Sequence, residues 1–275
     1  MNMIRSPVVL ENNGRLYKVL DLRMETSKYR TYLCEDVGSA KLCLLQIPVG
    51  VTGNGDSQRA CFVLKILREA ADEYQAQYEL QGHQGQLNYN LLFPRLLDSF
   101  IATEQSSRMV NIVDFTAAET SNLIPLSSVS KASKRLELST SAWIMGRLLK
   151  LLGFAHEQGI AVRALGGGNI LIEPAEHLTL VFDWSSAMFY QSEVPMAVCK
   201  DDIASAAKTV LVAIGANTET GVYPYLLDDE QRYIDFLWRL ASRRESDAQK
   251  AHEQFYKLVE ELWGRKFREF VTLPL

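Results

Sequence analysis

The sequence predicts an α+β protein in which a small antiparallel sheet with one helix precedes a larger, mainly helical portion. Three observations predict this. The N-terminal third is built of short runs rich in Tyr, Val, Leu and Ile between turn residues, the pattern of a meander. One long helical pattern interrupts those runs. From Thr116 onward the apolar residues recur at helical spacing instead.

The strand runs are Leu16–Leu22 (LYKVLDL), Tyr29–Asp36 (YRTYLCED) and Lys41–Val49 (KLCLLQIPV), with a turn at Val37-Gly38-Ser39. Gly50–Ser57 (GVTGNGDS) reads as a loop, and Ser57 is placed to cap a helix from Gln58 to Leu80 with Phe62, Ile66 and Leu67 on one face. Two more strands are expected around Leu96–Ile101 and Met109–Phe115. Ser141–Gln158 then carries Ile144, Leu148, Leu151, Leu152 and Ala155 on one buried stripe, with Gly159 as its stop. Short strands Ile170–Ile172 and Leu178–Phe182 flank a turn, and Asp201 or Asp202 is read as the cap of an apolar helix ending near Ile214. Helices Glu230–Ala241 and Asp247–Trp263 follow, the latter with Phe255, Leu258, Val259 and Leu262 on one side.

Composition narrows the function. Of 275 residues, 47% are hydrophobic and 23% charged, which suits a globular chain able to bury a sizeable core. A net charge of −4 argues against a general nucleic-acid binder. No apolar run approaches the ~18 residues of a membrane span, and the start lacks an apolar leader segment, so a cytoplasmic chain with no membrane partner is expected. Cys34, Cys43, Cys61 and Cys199 have no CxxC spacing and no clustered histidine, so they read as buried thiols.

Three segments resemble the protein-kinase superfamily. In Phe154–Ala187, Val162-Arg163-Ala164-Leu165-Gly166-Gly167-Gly168-Asn169 fits the catalytic-loop frame H-R-D-L-x-x-x-N, and Asp183-Trp184-Ser185 stands where D-F-G follows. The D-W pair and the Gly-Asn-Ile-Leu ending are similar to the aminoglycoside-phosphotransferase branch. Tyr29–Val49 looks like the strands bearing the V-A-I-K motif, and Phe93–Phe115 resembles the strands leading into the hinge. The helix at Asp201–Ile214 resembles the central helix of the larger lobe, with Asp202 in its capping position. The resemblance implies a bilobal kinase-like fold, with an N-lobe over residues 1–115 and a C-lobe over residues 116–275.

The resemblance also shows what is missing. Ala164 occupies the place of the aspartate that accepts the substrate proton, Val162 replaces the loop histidine, and Gly166 replaces a lysine found in many members. No glycine lies between Gly14 and Gly38, so Arg23–Lys28 lacks the phosphate-cradling loop. Gln46 stands at the V-A-I-K lysine, with Glu69 as its expected partner; a rival alignment puts that motif at Phe62-Val63-Leu64-Lys65. Val113, Asp114 and Phe115 would form the adenine-binding hinge. Asn169 and Asp183 survive as potential Mg²⁺ ligands, or as loop and turn staples. The segment from Asp183 to Asp202 is short and has no A-P-E motif. Trp184 and Met24 are candidates to plug the cleft. His156 reads as a packed structural residue.

The expectation is a pseudokinase that works by binding another protein, with ATP and Mg²⁺ as possible structural ligands. The alternative is an atypical phospho- or nucleotidyl-transferase using Asn169, Asp183 and a non-standard base.

Overall fold

A computed structural model of the chain describes residues 8–225, 230–264 and 269–275. Its first half is a six-stranded antiparallel sheet in the order β1-β2-β3-β4-β6-β5, built from β1 (Val9–Asn12), β2 (Arg15–Glu25), β3 (Tyr29–Asp36), β4 (Lys41–Pro48), β5 (Arg95–Ala102) and β6 (Arg108–Asp114). Strand alternation sorts the side chains onto two faces. Tyr17, Cys34, Cys43, Leu45, Ile47, Val110 and Ile112 close a small outer core with Leu10. Leu33, Leu44 and Val113 face the other way and join the main core. All four cysteines are free and buried.

α1 (Asn54–Leu80) lies against this second face. It begins earlier than Ser57, and no side chain caps it; instead Asn54 is tied to β6 by the bond from Met109 N to its Oδ1 (2.8 Å). The buried stripe is Ala60, Val63, Leu64, Leu67, Ala70 and Ala71, whereas Phe62 is 49% exposed. Apolar residues crowd every face of this helix, so the sheet decides which stripe is covered. Phe62–Lys65 lies inside α1, which removes the rival placement of the V-A-I-K motif on a strand.

β7 (Ile124–Pro125), α2 (Ser127–Lys131) and β8 (Lys134–Leu136) lead into α3 (Leu138–Glu157), whose residues from Ile144 to Ala155 form the middle of the larger core. β9 (Ile160–Ala161), β10 (Ile170–Glu173), β11 (Leu178–Val181) and β12 (Met188–Phe189) carry the loops of the candidate site. β10 pairs with β11 and β7, and β9 with β12. α4 (Met196–Ala213), α5 (Gln231–Ala241) and α6 (Ala248–Trp263) complete the helical half, and β13 (Thr272–Pro274) returns to pair with β8. Asp247 caps α6 by accepting from Lys250 N (2.9 Å). Among the described residues, no helix is long and apolar enough to cross a membrane.

Candidate functional site

The loop from β9 to β10 runs along the junction of the two halves. Its brace is Asp202, which is 2% exposed and sits inside α4. The helix begins at Met196 behind Pro195 without a side-chain cap, so Asp202 is not the cap the sequence suggested. Its carboxylate accepts from Val162 N (2.8 Å), Arg163 N (2.9 Å) and His156 Nε2 (3.1 Å). Those bonds hold Arg163 at φ +66°, a left-handed conformation that costs a non-glycine residue about 1–2 kcal/mol. His156 is therefore the packed structural histidine expected.

Beyond Arg163 the loop is closed on itself. Asn169 N and Ile170 N both donate to Gly166 O (2.8 and 3.2 Å), so the glycine run is a fixed turn. Gly167 lies against α2, where a Cβ would meet Ser127 N at 3.3 Å. Ala164, at the place where the kinase resemblance expects the proton acceptor, carries only a methyl group, and Val162 is fully buried.

Asn169 and Asp183 are brought together, the Asn169 amide on the Asp183 backbone and the Asp183 carboxylate on Ser185. Asn169 Nδ2 donates to Ala164 O (2.6 Å) and Asp183 O (2.9 Å), while its Oδ1 accepts from Asp183 N (2.6 Å). The Asp183 carboxylate accepts from Ser185 N (2.9 Å) and from Ser185 Oγ (3.0 Å). Among the described residues, no group of three or more His, Cys, Asp or Glu side chains is arranged to hold a metal ion.

The sheet supplies the roof. Gln46 is buried and lies opposite Thr31 on β3 and Asn111 on β6. Glu69 is exposed on α1, so the expected Gln46–Glu69 tie is not how helix and sheet are joined. Asn111 makes that link: its Nδ2 donates to Ser57 O (2.9 Å) and its Oδ1 accepts from Ser99 Oγ (2.7 Å). Arg59 connects α1 to the turn after Asp183, donating to Ser185 O (2.7 Å) and Asp56 Oδ1 (3.0 Å). Nothing in the sequence singled out Arg59 or Asn111 beyond an i,i+3 charge pair at Asp56 and Arg59.

At the roof's edge, residues Thr26–Lys28 form a tight turn. Thr26 Oγ1 accepts from Lys28 N (3.2 Å) and Tyr29 N (2.9 Å), so amides that a phosphate loop would offer are already bonded. Behind it, burial raises the pKa of the Tyr29 phenol, with Asp183 and Asp56 nearby.

The inner end of the cleft is filled. Leu33, Leu44, Val113, Phe115, Leu171 and Phe182 are buried in one apolar cluster with Met24 against it. The rings of Phe115 and Phe182 approach to 6.5 Å. Val113 pairs with Leu44, and Asp114 is held by Arg95, whose Nε lies 2.7 Å from Oδ1. Trp184 is fully buried, donates to Val181 O (3.0 Å) and meets Phe93 edge-on. An open cleft of about 590 Å³ lies farther out, lined by Lys28, Asp56, Arg59, Arg163, Ser185, Ser186, Met188 and Phe189.

This arrangement of a strand-rich half with one helix, a helical half, and a braced loop and turn at their junction is a bilobal, protein-kinase-like α+β fold. Solved structures agree. The chain is similar to vaccinia related kinase 3 (TM-score 0.65, 14% identity, covering 95% of this chain and 93% of that one). It is also similar to the Mycobacterium tuberculosis PknI kinase domain (TM-score 0.56, 14% identity, covering 93% and 100%). No protein-family profile matches the sequence, and no curated protein does.

Proposed function

We propose that this chain is a pseudokinase: a kinase-like module, with an N-lobe over residues 1–115 and a C-lobe over residues 116–275, that acts in the cytoplasm by binding another protein. One observation carries the reading. At the position of the proton acceptor stands the Ala164 methyl, and the two surviving polar positions, Asn169 and Asp183, are bonded to the loop and turn that contain them. Those bonds suit a loop staple, and because each oxygen accepts only one of them it keeps a lone pair that Mg²⁺ could use, so the titration below includes the metal. The filled inner cleft supports the same reading for ATP, because adenine would have to displace packed apolar side chains. Four unpaired buried thiols suit a reducing compartment.

The test is phosphoryl transfer from radiolabelled ATP with Mg²⁺, to generic substrates and to the chain itself, alongside thermal-shift titration. A nucleotide present at 100 times its Kd would add about 2.7 kcal/mol of stability; an unmoved melting curve is expected. Robust turnover that disappears in Asp183→Ala would overturn the proposal. Mass spectrometry of the incubated chain would reveal an added nucleotidyl group, the signature of the atypical-transferase alternative.

A further inference from the structure

The outer cleft has chemistry that the inert site does not use. Three cations converge on it from three separate elements: Lys28 from the turn between β2 and β3, Arg59 from α1, and Arg163 from the braced loop. Asp56 is the one carboxylate in the lining, and it is spent on Arg59. The Lys28 and Arg163 side chains are exposed and form no ion pair among the described residues. This concentration of positive charge lies on a chain of net charge −4, so it is local and does not reflect composition.

One wall of the same cleft is apolar and open to solvent. Met188 and Phe189 are each 45% exposed, and Phe62 is 49% exposed. Phe62 and Phe189 meet edge to face at 5.7 Å. Single exposed apolar residues are ordinary, but a contiguous cluster beside unpaired charge marks an interaction surface. Aromatic and arginine side chains together are the composition of interface anchors.

We infer that the cleft bounded by Lys28, Arg59, Arg163, Met188 and Phe189, with Phe62 on its rim, docks a partner-protein segment that bears acidic residues beside an aromatic or branched apolar side chain. Charge complementarity selects the acidic residues, and the Phe62–Phe189 ridge selects the apolar neighbour. A nucleic acid fits less well, since three lining cations, one of them paired with Asp56, offer few phosphate contacts. The brace explains how such a surface stays in place: Asp202 holds the Arg163 backbone, and Arg59 anchors the turn that leads into Met188 and Phe189. This inference rests on the partner-binding reading above and gives it a location and a partner chemistry.

The test pans a phage-displayed random peptide library against the full chain and against the double variant Lys28→Glu/Arg163→Glu. Both changes are at exposed side chains, and far-UV circular dichroism with melting curves checks that the variant is folded. Peptides enriched on the native chain should carry Asp or Glu next to Phe, Leu or Ile. A labelled copy of the leading peptide, followed by fluorescence anisotropy, should lose at least ~10-fold in affinity to the double variant and at least ~5-fold to Phe189→Ser. Binding should weaken as salt rises, and Arg239→Glu on α5 should leave it unchanged. Hydrogen exchange should show protection at Met188 and Phe189. The inference fails if nothing is enriched on the native chain over the variant, if the footprint lies elsewhere, or if a single-stranded RNA 20-mer binds more tightly through the same cations. ATP turnover, by contrast, would sink the pseudokinase reading and leave this footprint measurable.

Discussion

Truncating Phe182 separates a packed cleft from an open one. The residue is 4% exposed, its ring lies 6.5 Å from that of Phe115, and Leu44, Val113 and Leu171 belong to the same buried cluster. Burying such a side chain contributes about 1.5–3 kcal/mol by transfer alone. Phe182→Ala also leaves a hole among neighbours that relax only partly, which brings the expected loss to about 3–5 kcal/mol. For a domain of this general size, each kcal/mol moves the melting temperature by about 2–4 °C, so a fall of about 6–20 °C is expected. Were the ring instead lining a solvent-filled nucleotide cleft, truncation would cost roughly 0.5 kcal/mol, as for other surface positions. The assay is a thermal melt followed by tryptophan fluorescence, with and without millimolar ATP and Mg²⁺. A fall of under ~3 °C in the variant, or an ATP-induced rise in the native chain, would refute the packed-cleft argument.

Other perturbations probe the brace, the helix ties and one buried cation. Asp202→Asn keeps the shape but turns an NH₂ group toward one of the two loop amides; a loss of about 2–4 kcal/mol and faster deuterium exchange at Val162 and Arg163 are expected, and unchanged protection there would remove Asp202 as the brace. Glu69→Ala should change stability by less than ~0.5 kcal/mol, whereas Arg59→Ala, which loses the bond to Ser185 O, should cost about 1 kcal/mol; urea midpoints with equal slopes would show the difference. Lys150 on α3 donates to Leu87 O and lies 4.9 Å over the Tyr89 ring, and burial, then Arg147, push its pKa down to about 8. Between about pH 8 and 10.5 the unfolded chain keeps a proton that the folded chain has released, so this group makes stability rise with pH across that window. Tyr17 and Tyr223, raised to about 12, act in the opposite direction above pH 10, and the raised Cys34 and Cys199 thiols do so from nearer pH 9, so the difference between the native chain and Lys150→Met in urea midpoints from pH 7.5 to 9.5 isolates the effect. Lys150→Met should abolish the rise, and a rise that survives would disprove its source.

Much of the fold was legible because strand and helix periods leave direct marks. Tyr29–Asp36 was read to the residue, and the helix expected over Asp247–Trp263 is α6, which begins one residue later because Asp247 caps it. The misreadings came where tertiary contacts choose among equivalent local options. α1 is apolar on several faces, so the sequence could not tell that Phe62 is exposed and Ala60, Val63 and Leu67 are covered. Asp202 follows an acidic neighbour in a helical stretch, which resembles a cap; only the approach of the Val162 and Arg163 amides reveals a buried brace. β1 is four residues long and was not anticipated, because so short a run carries little periodic signal. In the candidate site, motif spacing located the loop and the turn, but no spacing rule says that Asn169 bonds the Asp183 backbone while the Asp183 carboxylate turns to Ser185.

That orientation connects the degenerate sequence to the intact architecture. Losing the Asp183 carboxylate would leave Ser185 N–H and Oγ–H without their acceptor, and losing the Asn169 amide would do the same to Asp183 N–H. Hydrogen bonds to a charged group contribute about 1.5–3 kcal/mol each, and a buried donor left without a partner costs about 1–3 kcal/mol. Removing either side chain would therefore loosen the turn that Arg59 ties to α1 and that leads directly into Met188 and Phe189. On the proposed pseudokinase reading, the Ala164 methyl leaves this architecture no proton acceptor to serve. The same bonds instead keep the Arg163 loop and the β12 edge rigid, which lowers the ordering cost of any partner that docks on them. On the proposed reading, loss of chemistry and retention of the scaffold are one physical arrangement, in which the two metal-ligand positions of the kinase frame serve as fasteners for a surface.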